Sequence, residues 1–246
     1  MFFNQQIKSR RKLFQMVLIC RLHRSLKRCI HQGRQLTSYS GGSVDSKEIK
    51  VFSQLSAEWH DENGPFKLLH SMNMLRVPWI LQNVDKKNGL VVDVGCGGGL
   101  LSIPLARAGL RVTAARGVLE SRVLKAAEYD AVVASEIVEH VVDLDSFVSE
   151  CVRLAKPGAS LFFTTINKTL ASRVLAVWLA EDMMALVPRG VHQWEKFVEP
   201  VLLSAILERN GCTVRAINGL TCNPVTNVWS WIPTTSVNYA CLAVKK

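Results

Sequence analysis

The chain has 246 residues, 48% of them apolar, and a formal net charge of +10. That length and apolar share suit one globular domain with an appendage and exclude a disordered or low-complexity protein. No apolar run reaches the roughly 18–20 residues of a transmembrane helix, and the seven cysteines show neither C-x-x-C nor zinc spacing, so buried, reduced thiols are expected.

The charge is unevenly placed. Nine basic residues and no acidic one precede Asp45, and the remainder carries 21 basic against 20 acidic residues. The excess therefore belongs to a leader, and no nucleic-acid partner is expected for the body. Within the leader, Arg and Lys alternate with Leu13, Phe14, Val17, Leu18, Leu22 and Leu26. A basic, acid-free, amphipathic leader has the composition of a mitochondrial transit peptide, while Arg21 and Arg24 interrupt any secretory apolar core. A basic nucleic-acid arm is the alternative. Residues 1–43 read as this leader and residues 44–246 as the folded domain.

In chain order, the apolar spacing of Ile49, Phe52, Leu55 and Trp59 predicts a helix over Asp45–Asp61, broken by Asp61–Pro65. A second helix is expected over Lys67–Leu81. Strand Leu90–Val94 follows, then a helix from about Leu100 to Ala108 that stops at Gly109. Strand Leu110–Ala114, a short helix Val118–Ala127 and strand Ala131–Ser135 come next. A helix over Leu144–Leu154 leads through Lys156-Pro157-Gly158 to strand Ser160–Thr165. The residues around 168–192 form an apolar insertion with Trp178, Met183 and Met184. A helix over Leu202–Asn210 and strands Val214–Asn218 and Asn238–Val244 close the chain. Strands alternating with helices predict an α/β protein with a doubly wound, mainly parallel sheet.

Two segments carry the chemistry. Val91–Leu101 reads VVDVGCGGGLL, an apolar strand feeding a turn with glycine at positions 95, 97, 98 and 99. Such a turn permits positive φ and close approach of a ligand to the backbone. Its spacing is not the G-x-G-x-x-G of dinucleotide folds. After the third predicted strand stands Ser135-Glu136-Ile137-Val138-Glu139-His140, at the strand end where α/β sheets collect ligands. If Glu136 opens a helical turn, Glu139 and His140 share its face. Two carboxylates and an imidazole could then hold a hard divalent cation or position a base.

The D-x-G-x-G-x-G form of Asp93–Gly99 resembles the first motif of class I S-adenosylmethionine (SAM) methyltransferases, which implies a Rossmann-like fold and a glycine turn lying against the methionine part of the cofactor. SEIVEHVVDLDSF, LAKPGASLFFTTINKT, HSMNMLRVPWI and AEWHDENGPFKLLH are together similar to the ubiquinone-biosynthesis O-methyltransferase family, from about Val44 to the C-terminus. The resemblance implies methylation of phenolic hydroxyls on polyprenylated rings, with SAM as donor and Mg2+ as metal. By motif, Arg76, Asp93, Gly95, Gly97 and Ser135 would contact SAM, and Glu136, Glu139 and His140 would hold magnesium. The metal as a Lewis acid and His140 as general base, with Glu136 beside it, are the two catalytic accounts. The resemblance also implies the matrix side of the mitochondrial inner membrane, peripheral membrane contact and other ubiquinone-synthesis proteins as partners. The 168–192 insertion is then either a helix on the core or an interfacial helix. Trp178, Trp229 and Trp231 are candidates for an aromatic acceptor pocket or for plain core packing.

One departure stands out. A SAM fold ends its second strand in an acid that accepts both ribose hydroxyls, but here RVTAARG ends in Ala115-Arg116, with Glu120 the next acid. The stretch before Tyr129 is also too short for the usual helix and strand, by roughly 25–30 residues. Loss of that strand would leave LRVTA at the sheet edge. A catalytically impaired assembly subunit is therefore the alternative function.

Overall fold

The computed structural model describes residues 59–64, 66–84, 88–115, 123–169, 172, 197–223 and 225–246. The leader, the expected helix over 45–61 up to residue 58, and most of the 168–192 insertion lie outside the described residues.

Seven strands form one sheet: β1 Leu90–Val94, β2 Arg111–Ala115, β3 Tyr129–Ser135, β4 Ala155–Ile166, β5 Cys212–Asn223, β6 Val228–Ile232 and β7 Asn238–Lys245. Their order is β2-β1-β3-β4-β7-β5-β6. The first four are parallel, whereas β7, β5 and β6 each run antiparallel to their neighbours. The doubly wound sheet is thus the expected one, with a parallel half, β2-β1-β3-β4, and an antiparallel half, β7-β5-β6. The strand β6 was not expected, because VWSWI at the sheet edge has no clean apolar face. Trp229 and Trp231 belong to this strand. The Trp229 indole donates to the Leu68 carbonyl at 3.1 Å, and Trp231 meets Trp79 edge-on at 5.6 Å.

Alternation along the central strands builds two cores. Val92, Val94, Val132 and Ala134 face α3 (Leu144–Leu154) and α4 (Pro200–Arg209). Val91, Ala131, Val133 and Phe162 face α1 (Lys67–Gln82) and α2 (Ser102–Arg107). Successive side chains of a strand point to opposite faces, so this partition is the doubly wound arrangement expected. Each helix presents a buried stripe at helical spacing: Met72, Arg76 and Trp79 in α1, Phe147, Val148, Cys151 and Val152 in α3. Local chemistry sets their ends. Asp143 caps α3 by accepting from the Ser146 N–H at 3.0 Å, and Pro200 starts α4, which stops before Gly211 at φ +80°.

The β2–β3 crossover departs from expectation. Residues 123–127 form turns, not the end of a helix, and Ala127 takes φ +51°. Only 13 residues separate Ala115 from Tyr129, close to the minimum for a parallel crossover. Among the described residues β2 pairs with β1 alone, so it is a sheet edge, as its shortened sequence implies. Among those residues no helix is long and apolar enough to cross a membrane. Of the cysteines, 151, 212 and 241 are buried, while 96 and 222 are half-buried; all five are free.

Candidate active site

The carboxyl ends of β1, β3 and β4 converge with α1. From α1, Arg76 is only 3% exposed. Its Nε and Nη2 donate to Asn73 Oδ1 at 3.1 and 2.7 Å, Nη2 to the Leu69 carbonyl at 3.0 Å, and Nη1 to Ser135 Oγ at 2.6 Å. Ser135 Oγ lies 2.6 Å from Thr164 Oγ1 on β4. Burial pulls the Arg76 pKa down, and the nearby charges of Glu136 and Asp93 oppose that pull. A buried guanidinium without such partners would be strongly destabilising.

Asp93, at the end of β1, is 2% exposed and accepts from Ser102 Oγ at 2.5 Å. Burial pushes its carboxyl up to about 6, held back by the Ser102 bond and by Arg76. Its visible work is to tie the start of α2 to β1, which shapes the glycine turn between them.

In that turn the glycines answer two different demands. Gly95, at φ +83°, leaves no room for a Cβ, which would stand 2.5 Å from Ile137 Cγ1. The turn is thereby pressed against the segment that follows β3. Gly97 and Gly98 face Trp59 instead; a Cβ on Gly98 would lie 2.4 Å from Trp59 Cγ. The Trp59 ring stacks on Phe66, with centroids 4.3 Å apart. Trp59 is therefore a cover on the glycine turn, not part of a helical apolar face, and residues 59–60 form a turn. Sequence reading missed this contact, since nothing in the spacing links position 59 to position 98. The Gly95 and Cys96 N–H groups both donate to the Ala115 carbonyl, at 2.7 and 3.1 Å. The end of β2 thus lies beside the turn, and its residue there is alanine.

The segment after β3 does not form the helical turn expected of it. Glu136 takes the left-handed φ of +53°, Ile137 sits at φ −130°, and a 3-10 turn begins only at Val138. A non-glycine residue at such a φ carries strain of about 1 kcal/mol or more. Glu136 still extends the ladder, its N–H donating to the Thr164 carbonyl at 2.8 Å. Its carboxyl is pushed up to about 7, first by burial and then by the charge of Glu139, against the pull of Arg76, Thr164 and His140. Glu139 is 4% exposed and accepts from Thr165 Oγ1 at 2.7 Å. His140 is 8% exposed.

Glu136, Glu139 and His140 are thus neighbours, but their side chains do not converge on one point. Among the described residues no three His, Cys, Asp or Glu side chains could hold one ion. The physical reason is the left-handed residue, which breaks the i, i+3, i+4 register on which the expected convergence depended. As placed, the described residues do not fit the implied magnesium.

A methyltransferase-domain family model matches residues 75–217. Among solved structures, a SAM-dependent methyltransferase from Thermotoga maritima, described as a possible histamine N-methyltransferase, superposes with TM-score 0.56 at 13% identity, covering 80% of this chain and 99% of that one. Magnesium protoporphyrin IX methyltransferase from Synechocystis, with bound S-adenosylhomocysteine, gives 0.55 at 20% identity, covering 82% and 95%. At these identities the likeness is one of fold. With the family match and the glycine turn, it defines the class: a SAM-dependent methyltransferase. Closer in sequence are two named relatives. The mitochondrial ubiquinone biosynthesis O-methyltransferase of Homo sapiens is 42% identical over 250 residues, 86% of this chain and 68% of that protein. The ubiquinone biosynthesis O-methyltransferase of a Methylobacterium strain is 36% identical, over 85% and 98%. The chain belongs to the ubiquinone biosynthesis O-methyltransferase family. Because 86% of 246 residues is about 212, roughly 38 of the 250 aligned human positions face gaps in this chain. The short β2–β3 crossover is in keeping with an internal gap.

Proposed function

We propose that this chain transfers a methyl group from SAM to a phenolic hydroxyl of a polyprenylated ring in ubiquinone synthesis. The observation that carries the reading is the contact between the glycine turn and the acidic segment after β3, through Gly95 and Ile137, in a chain 42% identical to a named O-methyltransferase. That contact sets a cofactor turn beside groups able to accept a proton. In the reaction the phenolic oxygen attacks the sulfonium methyl carbon in line. An O–C bond forms, the C–S bond breaks, S-adenosylhomocysteine departs and the phenolic proton passes to a base. A carboxylate at about 7 is suited to that task near neutral pH. Glu136 is therefore the first candidate base, with His140 the second. Arg76 and Ser135 hold the floor of the cofactor site, and Asp93, Gly95 and Gly97 shape its turn. A divalent cation would supply Lewis acidity, but the acidic segment's geometry gives no reason to include one.

The mitochondrial relatives and the basic leader support a mitochondrial location, with the matrix face of the inner membrane as the site of a prenylated, membrane-held substrate and of contact with other ubiquinone-synthesis proteins. Residues 1–43 are then the transit peptide and 44–246 the enzyme. Catalysis is favoured over a purely structural assembly role because Arg76, Ser135 and the acidic pair are all in place.

Calorimetric titration of the purified chain with SAM, followed by product analysis with a catechol acceptor, tests the proposal. Saturable binding and O-methylated product are expected. Absence of SAM binding up to millimolar concentration would sink it. Glu136→Gln should lower kcat by about 10²-fold or more and remove the acidic limb near pH 7 from the rate profile. If His140→Gln removes that limb and Glu136→Gln does not, His140 is the base. Activity unchanged by a metal chelator is the expected result, and a strict requirement for Mg2+ would restore the metal account.

A further inference from the structure

The sheet has two edges, and they differ in charge. β2, at one end, carries the exposed Arg111. β6, at the other, reads VWSWI and pairs with β5 alone among the described residues. It has no Lys, no Pro and no bulge against β5, the devices that keep a bare edge from meeting another strand. Neutrality extends well beyond the strand. Positions 216–244 hold no Asp, Glu, Lys or Arg, in a chain that is 20% charged. Apolar side chains are nevertheless left in water there: Val225, Val228 and Trp231 are 89%, 57% and 37% exposed.

The order of residues in β6 points to what covers it. From either end VWSWI runs β-branched, Trp, Ser, Trp, β-branched. An antiparallel copy centred on Ser230 therefore sets Ser230 against Ser230, Trp229 against Trp231 and Val228 against Ile232. Directly opposed residues leave the same face of a sheet, with Cβ atoms about 4.5–5.5 Å apart, where aromatic, β-branched and hydroxyl pairs each strengthen the pairing. Trp229 and Trp231 are already held on the α1 face, the first by its bond to the Leu68 carbonyl and the second against Trp79. A two-fold axis sets any charge on it against its own copy, and a neutral hairpin meets that condition without repulsion. A partner recognised through salt bridges finds no handle on the same surface.

We propose that β6 is a self-association edge: a second copy of this chain pairs with it, antiparallel, about a two-fold axis at Ser230, and joins two sheets into one. Pairing over five residues is small beside the roughly 1,200–2,000 Å² of a stable interface, so the dimer is concentration-dependent and not obligate. None of the groups around Arg76 or the acidic segment takes part, and the methyltransferase reading stands or falls separately.

Sedimentation equilibrium of the full chain between about 1 and 100 μM tests it. Expected is a monomer–dimer equilibrium that about 1 M salt does not weaken, since no ion pair contributes. Ser230→Lys and Ser230→Glu each set like charges face to face at the axis. Each should weaken association at least tenfold with the far-UV circular dichroism unchanged. Mixed in equal amounts, the two variants should regain the dimer, because Lys then faces Glu. A monomer throughout the range in the original chain would overturn the proposal, as would a dimer that either variant leaves intact. Failure of the mixture to recover what the two variants lose also overturns it, because the pairing is then not centred on Ser230. So does a monomer that binds phosphatidylcholine vesicles and loses them in Ser230→Lys, which would assign the edge to a lipid surface.

Discussion

The chain reverses direction at the ends of two adjacent parallel strands, and it does so by opposite means. After β1 the turn is made of glycine, carries no charge of its own and is closed over by Trp59. After β3 it is made by Glu136 in a left-handed conformation, buries two carboxylates and is strained. The first is a shape and the second is a reservoir of charge. A glycine turn gives close approach at little conformational cost, which suits holding a cofactor. Strain and raised acids cost stability and are retained where proton transfer or charge recognition occurs. Arg76 joins the two, sensing Asp93 on one side and Glu136 on the other.

Breaking that joint should have the largest effect. Arg76→Met removes four hydrogen bonds, leaves Asp93 without a counter-charge and leaves Glu136 with His140 alone. A loss of about 3–5 kcal/mol is expected in urea unfolding at pH 8, and a smaller loss at pH 5, where both acids are partly protonated. An equal loss at both pH values would show that packing, not charge, joins the regions.

The glycine turn can be broken by shape alone. Gly98 has an ordinary φ, so Gly98→Ala acts only through its clash with the root of the Trp59 side chain. It should cost about 2–3 kcal/mol, and Trp59→Ala in the same chain should recover part of that loss. A fully additive double mutant would mean that Trp59 does not close the turn.

Smaller effects should come from the acids, one in each region. Both have raised pKa values when folded, Asp93 to about 6 and Glu136 to about 7. The folded chain therefore keeps protons that the unfolded chain has already released. Stability falls as pH rises from about 4 to 6 for Asp93 and from about 4.5 to 7 for Glu136, and is flat above. Asp93→Asn and Glu136→Gln should each stabilise the protein by about 1–2 kcal/mol above its window and by nothing below it. The measurement is chemical denaturation between pH 4 and 8. A gain that does not vary with pH would remove the desolvation argument.

Much of the fold was legible because its signals are local. Helix Leu144–Leu154 was readable to the residue, and β1 from its apolar residues around Asp93. The missing acid and short crossover after β2 were equally plain, being matters of residue identity and length. β6 was not legible, since an edge strand that packs tryptophans against α1 lacks the period of a buried one. The relative placement of the implied metal donors was not legible for a similar reason. The three have the right spacing only if Glu136 is helical, and the β-ladder bond from its N–H to Thr164 holds it in another conformation.

By itself, then, the sequence determined the cofactor class and the family. Glycine spacing, strand hydrophobicity and residue identity act over a few positions and need no partner to be read. Only the tertiary structure decided what each group faces. Arg76 meets Ser135 across 59 positions, Trp59 covers Gly98, and Trp229 is brought to Leu68 by the pairing of β6 with β5. Those contacts depend on strand order and on which side of the sheet a side chain leaves, and a shift of one residue in register would undo them.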